Sequence, residues 1–462
     1  MSLTLEPSSA TTRAVRRPRA LRRALVAALG AAVLALGALP AAAHPRGDDD
    51  RAVLAPGTRL YVDPLSTTAQ AARQLRGQAR KDAQLLAKYP GATWFTGGTP
   101  AEVKREVRAL VRRTGTAVPV LVAYNLPYRD CGQYSAGGAL STADYQAWID
   151  ALAQGIGSRR AVVILEPDGL GLIQNYQSEL DRSQNCAVEG PEATPEARFA
   201  QLNYAVDAFA ALPKVAVYLD ATHSGWQNVS ESAFRLLKAG VQRADGFYLN
   251  ASNYQFTQNQ VYYGSWVSAC IEQAVTAPGW TGTPDGSQFP DCPNQYWNGG
   301  PDGTAIADLL GAWNGVALSA YGVWSEDSAD PALNVSGVQA RYTVPGTTHF
   351  VVDTSRNGKG PWDWAAAGYP DAGTAQDWCN PPGRGVGLAP TTRTGHPLVD
   401  AYLWIKVPGE SDGQCTRDGS AGDADPERGM VDPAAGAWFP QQARELVELA
   451  DPALGRPWPG RR

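Results

Sequence analysis

The stretch Val162-Val-Ile-Leu-Glu-Pro-Asp-Gly-Leu-Gly171 runs four apolar residues straight into Glu166, Pro167 and Asp168, with glycines at 169 and 171. An apolar run without alternation reads as a strand buried on both faces, as in a parallel sheet. Two carboxylates at the end of such a strand are costly to desolvate, so their presence points to chemistry. The same figure recurs along the chain. TRLYVDP (58–64) ends at Asp63, VPVLVAYNLPYRDC (118–131) reaches Asp130, and KVAVYLDATHSGW (214–226) carries Asp220 and His223. ATWF (92–95) carries Trp94, GFYLNASNY (246–254) Asn250, and HFVVDTSRNG (349–358) Asp353 and Arg356. AYLWIKVPGESDG (401–413) carries Lys406, Glu410 and Asp412.

Helical patterns lie between these runs. In TPAEVKREVRALVRRTG (99–115), Thr99 is the N-cap, Pro100 takes the first helical position and Gly115 is the stop. TADYQAWIDALAQGIG (142–157) has the same period. Seven or eight strand–helix units predict an α/β fold, a parallel βα barrel with its active site at the C-terminal strand ends, which is where the acids collect. Helix capping explains one or two strand-end Asp residues, but not five strand ends that supply Asp or Glu.

Six arginines between Arg13 and Arg23 precede an apolar run, Ala24 to Leu39, and then Ala41-Ala42-Ala43. This is the pattern of a secretory signal peptide over 1–43, by either the general or the twin-arginine route. An acidic tail over 44–57 is expected to be disordered, followed by one domain over 58–462 with no linker. Removing six arginines and one glutamate takes the formal net charge from −5 to −10. An acidic protein repels nucleic acid and anionic membranes, so a neutral or cationic substrate and a soluble, secreted monomer are expected. Cys131, Cys186, Cys270, Cys292, Cys379 and Cys415 are expected to pair in an exported chain. Fifteen pairings are possible, and spacing favours sequence neighbours: 131–186, 270–292 and 379–415. With no CxxC and four scattered His, neither a metal nor another cofactor is expected.

Phosphoryl transfer wants a phosphate cradle, and none is evident. Glycoside hydrolysis wants two carboxyl groups of different pKa and aromatic platforms for the sugar, for which 14 Trp and 18 Tyr are ample. A non-catalytic sugar-binding protein uses Trp and Asp too, but has no need to bury acids at strand ends.

VAYNLPYRDCGQYSAGG (122–138) and VVILEPDGLG resemble the two signatures of family 6 of the glycoside hydrolases, the inverting cellulases. YLDATHSGW, LNASNY, DTSRNG, DWCN and WIKVPGESDG resemble further family motifs in the same order, over about 58 to 455. The resemblance implies a distorted βα barrel of about seven strands that cuts β-1,4-glucan with inversion. It implies Asp168 as general acid, Asp130 as the neighbour that raises the acid's pKa and organises the attacking water, and Asp412 as the residue usually proposed as base. It implies sugar contacts from Tyr124, Trp94, His223, Trp226, Asn250, Trp378, Lys406 and Glu410, and the disulfides Cys131–Cys186 and Cys379–Cys415. Glu166, two residues before Asp168, points the same way but deeper, and is expected to brace the site. The family's usual glycine beside His223 is Thr222 here, and Ala136 stands where a serine is frequent. The connection over about 255–347 is long; it reads as an excursion over the barrel mouth or as a decoration away from it. An endoglucanase is expected, with a cellobiohydrolase and a silent glucan-binding protein as alternatives.

Overall fold

The computed structural model describes residues 53–178, 186–282, 284, 292–296, 317–417 and 423–455. The expected signal peptide and most of the acidic tail lie outside the described residues. The long connection carries sequence of helical pattern at 258–275 and 304–324; most of the second lies outside the described residues, and its described end, 317–324, is not helical.

Seven parallel strands form one sheet in sequence order: β1 (Thr93–Phe95), β2 (Val120–Ala123), β3 (Ala161–Leu165), β4 (Val215–Asp220), β5 (Gly246–Leu249), β6 (His349–Asp353) and β7 (Val399–Leu403). Every residue of β2, β3, β4 and β5 is buried, as a sheet covered on both faces requires. One side of the sheet packs on the helices, with Trp148, Leu165, Phe234 and Trp266 among the buried residues. The other encloses a narrower core of Val122, Tyr124, Ile164, Tyr218, Tyr248 and Val351. The sheet curls into a half-barrel around this inner core.

Among the described residues the longer helices are α1 (Thr67–Gln74), α2 (Gly77–Leu86), α3 (Pro100–Arg113), α4 (Thr142–Ile156), α5 (Pro195–Ala210), α6 (Val229–Lys238) and α7 (Thr257–Thr276). A last helix spans Pro440–Glu448. Thr99 caps α3 in a reciprocal pair: its hydroxyl accepts from Glu102 N at 3.3 Å while Thr99 N donates to the Glu102 carboxylate at 2.8 Å. Ser141 caps α4. The helical patterns at 99–115 and 142–157 are α3 and α4, and the one at 258–275 is α7.

Two expectations shift. The run 58–64 is not a strand but a single parallel bridge, Leu60 to Val118. Asp63 turns back to accept from Leu65 N at 3.0 Å, so it serves its own turn and not the site. The run still fills a gap: Tyr61 N donates to Val118 O at 2.9 Å, and Gly57 N to Thr392 Oγ1 at 2.9 Å. The open side of the sheet is further stitched by Ala92 N to Trp404 O at 3.0 Å. The packed chain also begins earlier than 58, since Val53 and Leu54 are buried against the inner core.

The disulfides Cys131–Cys186, Cys270–Cys292 and Cys379–Cys415 are all present. The long connection supplies α7 as an ordinary barrel helix, then folds back on its flank. Trp266 stacks on Trp324 with centroids 5.7 Å apart, and Gln295 Nε2 donates to Ser224 O at 3.0 Å and Gln227 O at 2.8 Å. Its described part beyond α7 does not line the cleft at the barrel mouth. It buttresses the loop that carries His223 and Trp226 from behind.

Candidate active site

A cleft of about 680 Å³ opens at the C-terminal ends of the strands. Its walls contain Trp94, Tyr124, Asp130, Asp168, His223, Trp226, Trp378, Lys406, Glu410 and Asp412. The fold thus brings together every residue expected at the site except Asn250. That side chain is fully buried and turned back on its own loop: it accepts from Gln255 N at 3.0 Å and donates to Asp353 O at 2.9 Å. A short amide that bonds its local backbone is the usual companion of a left-handed residue, and Asn250 has φ +66°. Its effect is indirect, because the loop it shapes lines the cleft through Ala251, Ser252, Asn253 and Gln255.

Asp168 owes its position to the turn after β3. Glu166 and Asp168 both take left-handed φ, +53° and +60°, which costs a non-glycine residue roughly 1–2 kcal/mol. Buried partners hold the turn in that shape. Glu166 accepts from Asn125 N at 2.8 Å and Leu126 N at 3.0 Å, and so locks β3 to the end of β2. Asp220 accepts from Leu170 N and Gly171 N, both at 3.2 Å. Arg198 of α5 donates to Gly169 O at 2.8 Å, and Arg235 of α6 to Leu170 O at 2.7 Å. Gly171 is required by packing: a Cβ there would lie 2.5 Å from the Trp226 ring.

Asp130 has φ +58°, and Cys131 beside it, tied to Cys186, has φ +36°. Its carboxylate accepts from Ser135 N at 2.6 Å. Arg129 secures the loop by donating to Ser135 O at 3.0 Å and Thr96 O at 2.6 Å, with its guanidinium 4.6 Å from the Tyr124 ring centre. Tyr134 reaches across to the segment before β7. Its hydroxyl donates to Gln376 Oε1 at 3.1 Å, and its ring lies 5.8 Å from Trp378.

Asp412 is surrounded by donors. Arg356 Nη1 lies 2.7 Å from it, Lys406 Nζ 3.1 Å, the Tyr254 hydroxyl 3.0 Å and Asn380 N 3.0 Å. Asn380 also accepts from Asp412 N at 2.9 Å. Trp94 is fixed by its indole N–H donating to Ile405 O at 2.8 Å.

The acids therefore separate in strength. Burial, then the charges of Asp220, Asp130 and Asp412, push Asp168 well above the carboxylate range. Burial raises Asp130 to about 6, against the pull of Ser135 N and Arg129. Asp412 is held at about 2: Arg356 and Lys406 outweigh its burial. His223 is kept neutral, pushed down to about 3 by burial, and its Nδ1 accepts from Gly225 N at 3.2 Å. The chain thus presents a protonated acid, a weak base and a fixed anion along one aromatic cleft.

A stability consequence follows. Burial raises Glu166 to about 7 and Asp220 to about 6, and Asp130 joins them. An unfolded carboxylate titrates near 4, so between about pH 4 and pH 7 the folded state binds more protons than the unfolded one. Their contribution is full below pH 4 and is lost as the pH rises through the folded values. Melting temperature should fall from pH 5 to pH 8 in thermal scans; a flat or rising curve would show that these carboxyls are not protonated together.

Some of this was not expected. The buried arginines Arg198 and Arg235 sit in α5 and α6, where nothing in the sequence separates them from surface charge. Asp220, Arg356 and Tyr254 lie in quoted motifs but received no task. The cluster Cys415, Asp425 and Asp432 has ligand-like spacing. Cys415 is in a disulfide and Asp425 pairs with Arg417 at 2.8 Å, so it is a structural knot.

A proton donor and ionised partners on a sugar-sized aromatic cleft, at the mouth of a parallel barrel, define a glycosidase. The chain matches the model of glycosyl hydrolases family 6 over residues 55–450. It is 31% identical over 400 residues to endoglucanase A of Thermobispora bispora, covering 85% of this chain and 65% of that protein. It is 32% identical over 398 residues to endoglucanase 1 of Streptomyces halstedii, covering 85% and 91%. Among solved structures, the endoglucanase Cel6 of Mycobacterium tuberculosis, in complex with methyl-cellobiosyl-4-deoxy-4-thio-β-D-cellobioside, superposes with TM-score 0.56 at 31% identity. That match covers 85% of this chain and 97% of the other. The chain belongs to glycosyl hydrolase family 6. It spans just under two thirds of the T. bispora protein's length.

Proposed function

We propose that the protein is a secreted endoglucanase that hydrolyses β-1,4-glucan with inversion. The observation that carries this is Asp168, a carboxyl kept protonated at a strand end inside a cleft walled by Trp94, Tyr124, Trp226 and Trp378. A glucan chain lies along these rings, and Asp168 gives its proton to the glycosidic oxygen as the bond breaks. Water attacks the opposite face of the sugar. Asp130, near pH 6, is matched to receive that water's proton. Asp412 is too weak a base for the task; it places a fixed negative charge near the positive charge that develops on the sugar. Export is supported by the pattern over 1–43 and by the three disulfides.

The names of the bacterial relatives support internal cutting. A second reading, a cellobiohydrolase, is favoured by Tyr134, because loops that touch across a cleft confine a chain end. A relative named probable 1,4-beta-D-glucan cellobiohydrolase C, from Aspergillus niger, is 29% identical over 431 residues, with 86% of this chain and 78% of that protein covered. Two readouts of one enzyme preparation test the proposal. With hydroxyethyl cellulose, viscosity should collapse while few reducing ends appear; parallel progress of the two selects the second reading. With cellohexaose, proton NMR should show α-anomers first, and an initial β-anomer would refute inversion.

A further inference from the structure

Asp377 lines the cleft directly before Trp378, and the activity proposed above gives it no task. Its position is built. Gln376, just before it, takes φ +48°, and its side-chain oxygen accepts from Thr416 N at 3.2 Å and from the Tyr134 hydroxyl at 3.1 Å. Arg417 donates to Ala375 O at 2.6 Å and Cys379 O at 2.8 Å on either side. The Cys379–Cys415 disulfide closes the same segment.

Among the described residues no cation pairs with the Asp377 carboxylate. Arg417 lies near enough to favour its charge, but its guanidinium is committed to Asp425 at 2.8 and 3.0 Å. The other ionisable groups around it are the phenols of Tyr134 and Tyr321, with Glu410, Lys406 and Asp412 further along the cleft.

We propose that Asp377 is a specificity-determining residue: its carboxylate, which no cation neutralises, accepts hydrogen bonds from hydroxyls of the sugar on Trp378 and repels an anionic substituent on that sugar. This rests on the β-glucan reading of the same cleft. The Asp377 carboxylate accepts from its own N–H and from Trp378 N–H, which fixes it beside the stacking ring; its remaining lone pairs can accept from the hydroxyls of a neutral glucosyl unit. A carboxymethyl group on that unit brings a second negative charge. At about 6 Å in a water-filled cleft, such repulsion is worth roughly a threefold change in binding. Burial raises Asp377 to about 6, so the carboxylate is charged, and selective, above that pH and neutral below it.

The test compares kcat/KM on carboxymethyl cellulose and on hydroxyethyl cellulose, for the native enzyme and for Asp377→Asn and Asp377→Glu, at pH 7 and pH 4.5. Dividing variant by native at each pH cancels the titration of Glu410 and Asp130. At pH 7, Asp377→Asn should raise the ratio of carboxymethyl to hydroxyethyl activity about threefold, through KM. At pH 4.5 it should leave the ratio within twofold of native, and Asp377→Glu should keep the native ratio at both. An unchanged ratio at pH 7, or an equal rise at both pH values, overturns the proposal. Failure of the native enzyme to cut either polymer would instead overturn the glucanase reading.

Discussion

Replacing Asp168 by asparagine should reduce turnover on cello-oligosaccharides by roughly 10²- to 10⁴-fold, the usual worth of general-acid catalysis. The argument begins with the leaving group. An alkoxide expelled from a glucan is a strong base, and it leaves only if a proton reaches it as the bond stretches. Asp168 has that proton because burial and the charges of Asp220, Asp130 and Asp412 oppose its ionisation. The turn around it is clamped from beneath by Glu166, Asp220, Arg198 and Arg235. Asparagine keeps the shape and loses the proton. A dinitrophenyl cellobioside needs no protonation to depart, so the variant should retain far more of its rate there. Equal losses on both substrates would remove Asp168 from the role of donor.

The barrel was legible because its strands carry an unusual signal. Val162 to Leu165 form an unbroken apolar run rich in β-branched residues, as a strand buried on both faces requires, and the acids that follow mark the face on which the cleft opens. Glu166 does brace the site, but not by strand alternation: β3 ends at Leu165, and Glu166 and Asp168 both sit in the left-handed turn beyond it. The run TRLYVDP misled because a strand needs a neighbour along its length, and this one meets only Val118. Asn250 misled for a different reason. A polar residue at a strand end looks the same in sequence whether it faces the cleft or its own loop, and the left-handed backbone that decides the matter is invisible there. Arg198, Arg235 and Arg356 were unreadable as supports because their function depends on carbonyls and a carboxylate that are distant in the chain. Asp412 could be located by its motif, but its acidity could not. That depends on Arg356, 56 positions away.

Asp412 gives the second large effect, and here stability and activity separate. Arg356 is fully buried, and its guanidinium sits 4.4 Å from the Tyr254 ring and 2.7 Å from Asp412. Replacing Asp412 by alanine leaves that cation uncompensated, which costs about 3–5 kcal/mol. The cost arises from the orphaned charge and not from a lost attraction, so adding Arg356→Met should restore most of the stability. The double variant should stay inactive, because neither the anion near the reacting sugar nor the clamp on Lys406 returns. The pH dependence follows from the same contacts. A folded value near 2, against about 4 unfolded, means that the contribution of Asp412 is present above pH 4 and lost as the pH falls toward 2. Acid unfolding of the native protein should therefore contain a step in that window which Asp412→Ala lacks. Denaturant melts at pH 7 and pH 3 for the native protein, both single variants and the double complete the cycle. If the double variant is as unstable at pH 7 as Asp412→Ala, the destabilisation comes from the lost packing and hydrogen bonds of the carboxylate, and the charge argument fails.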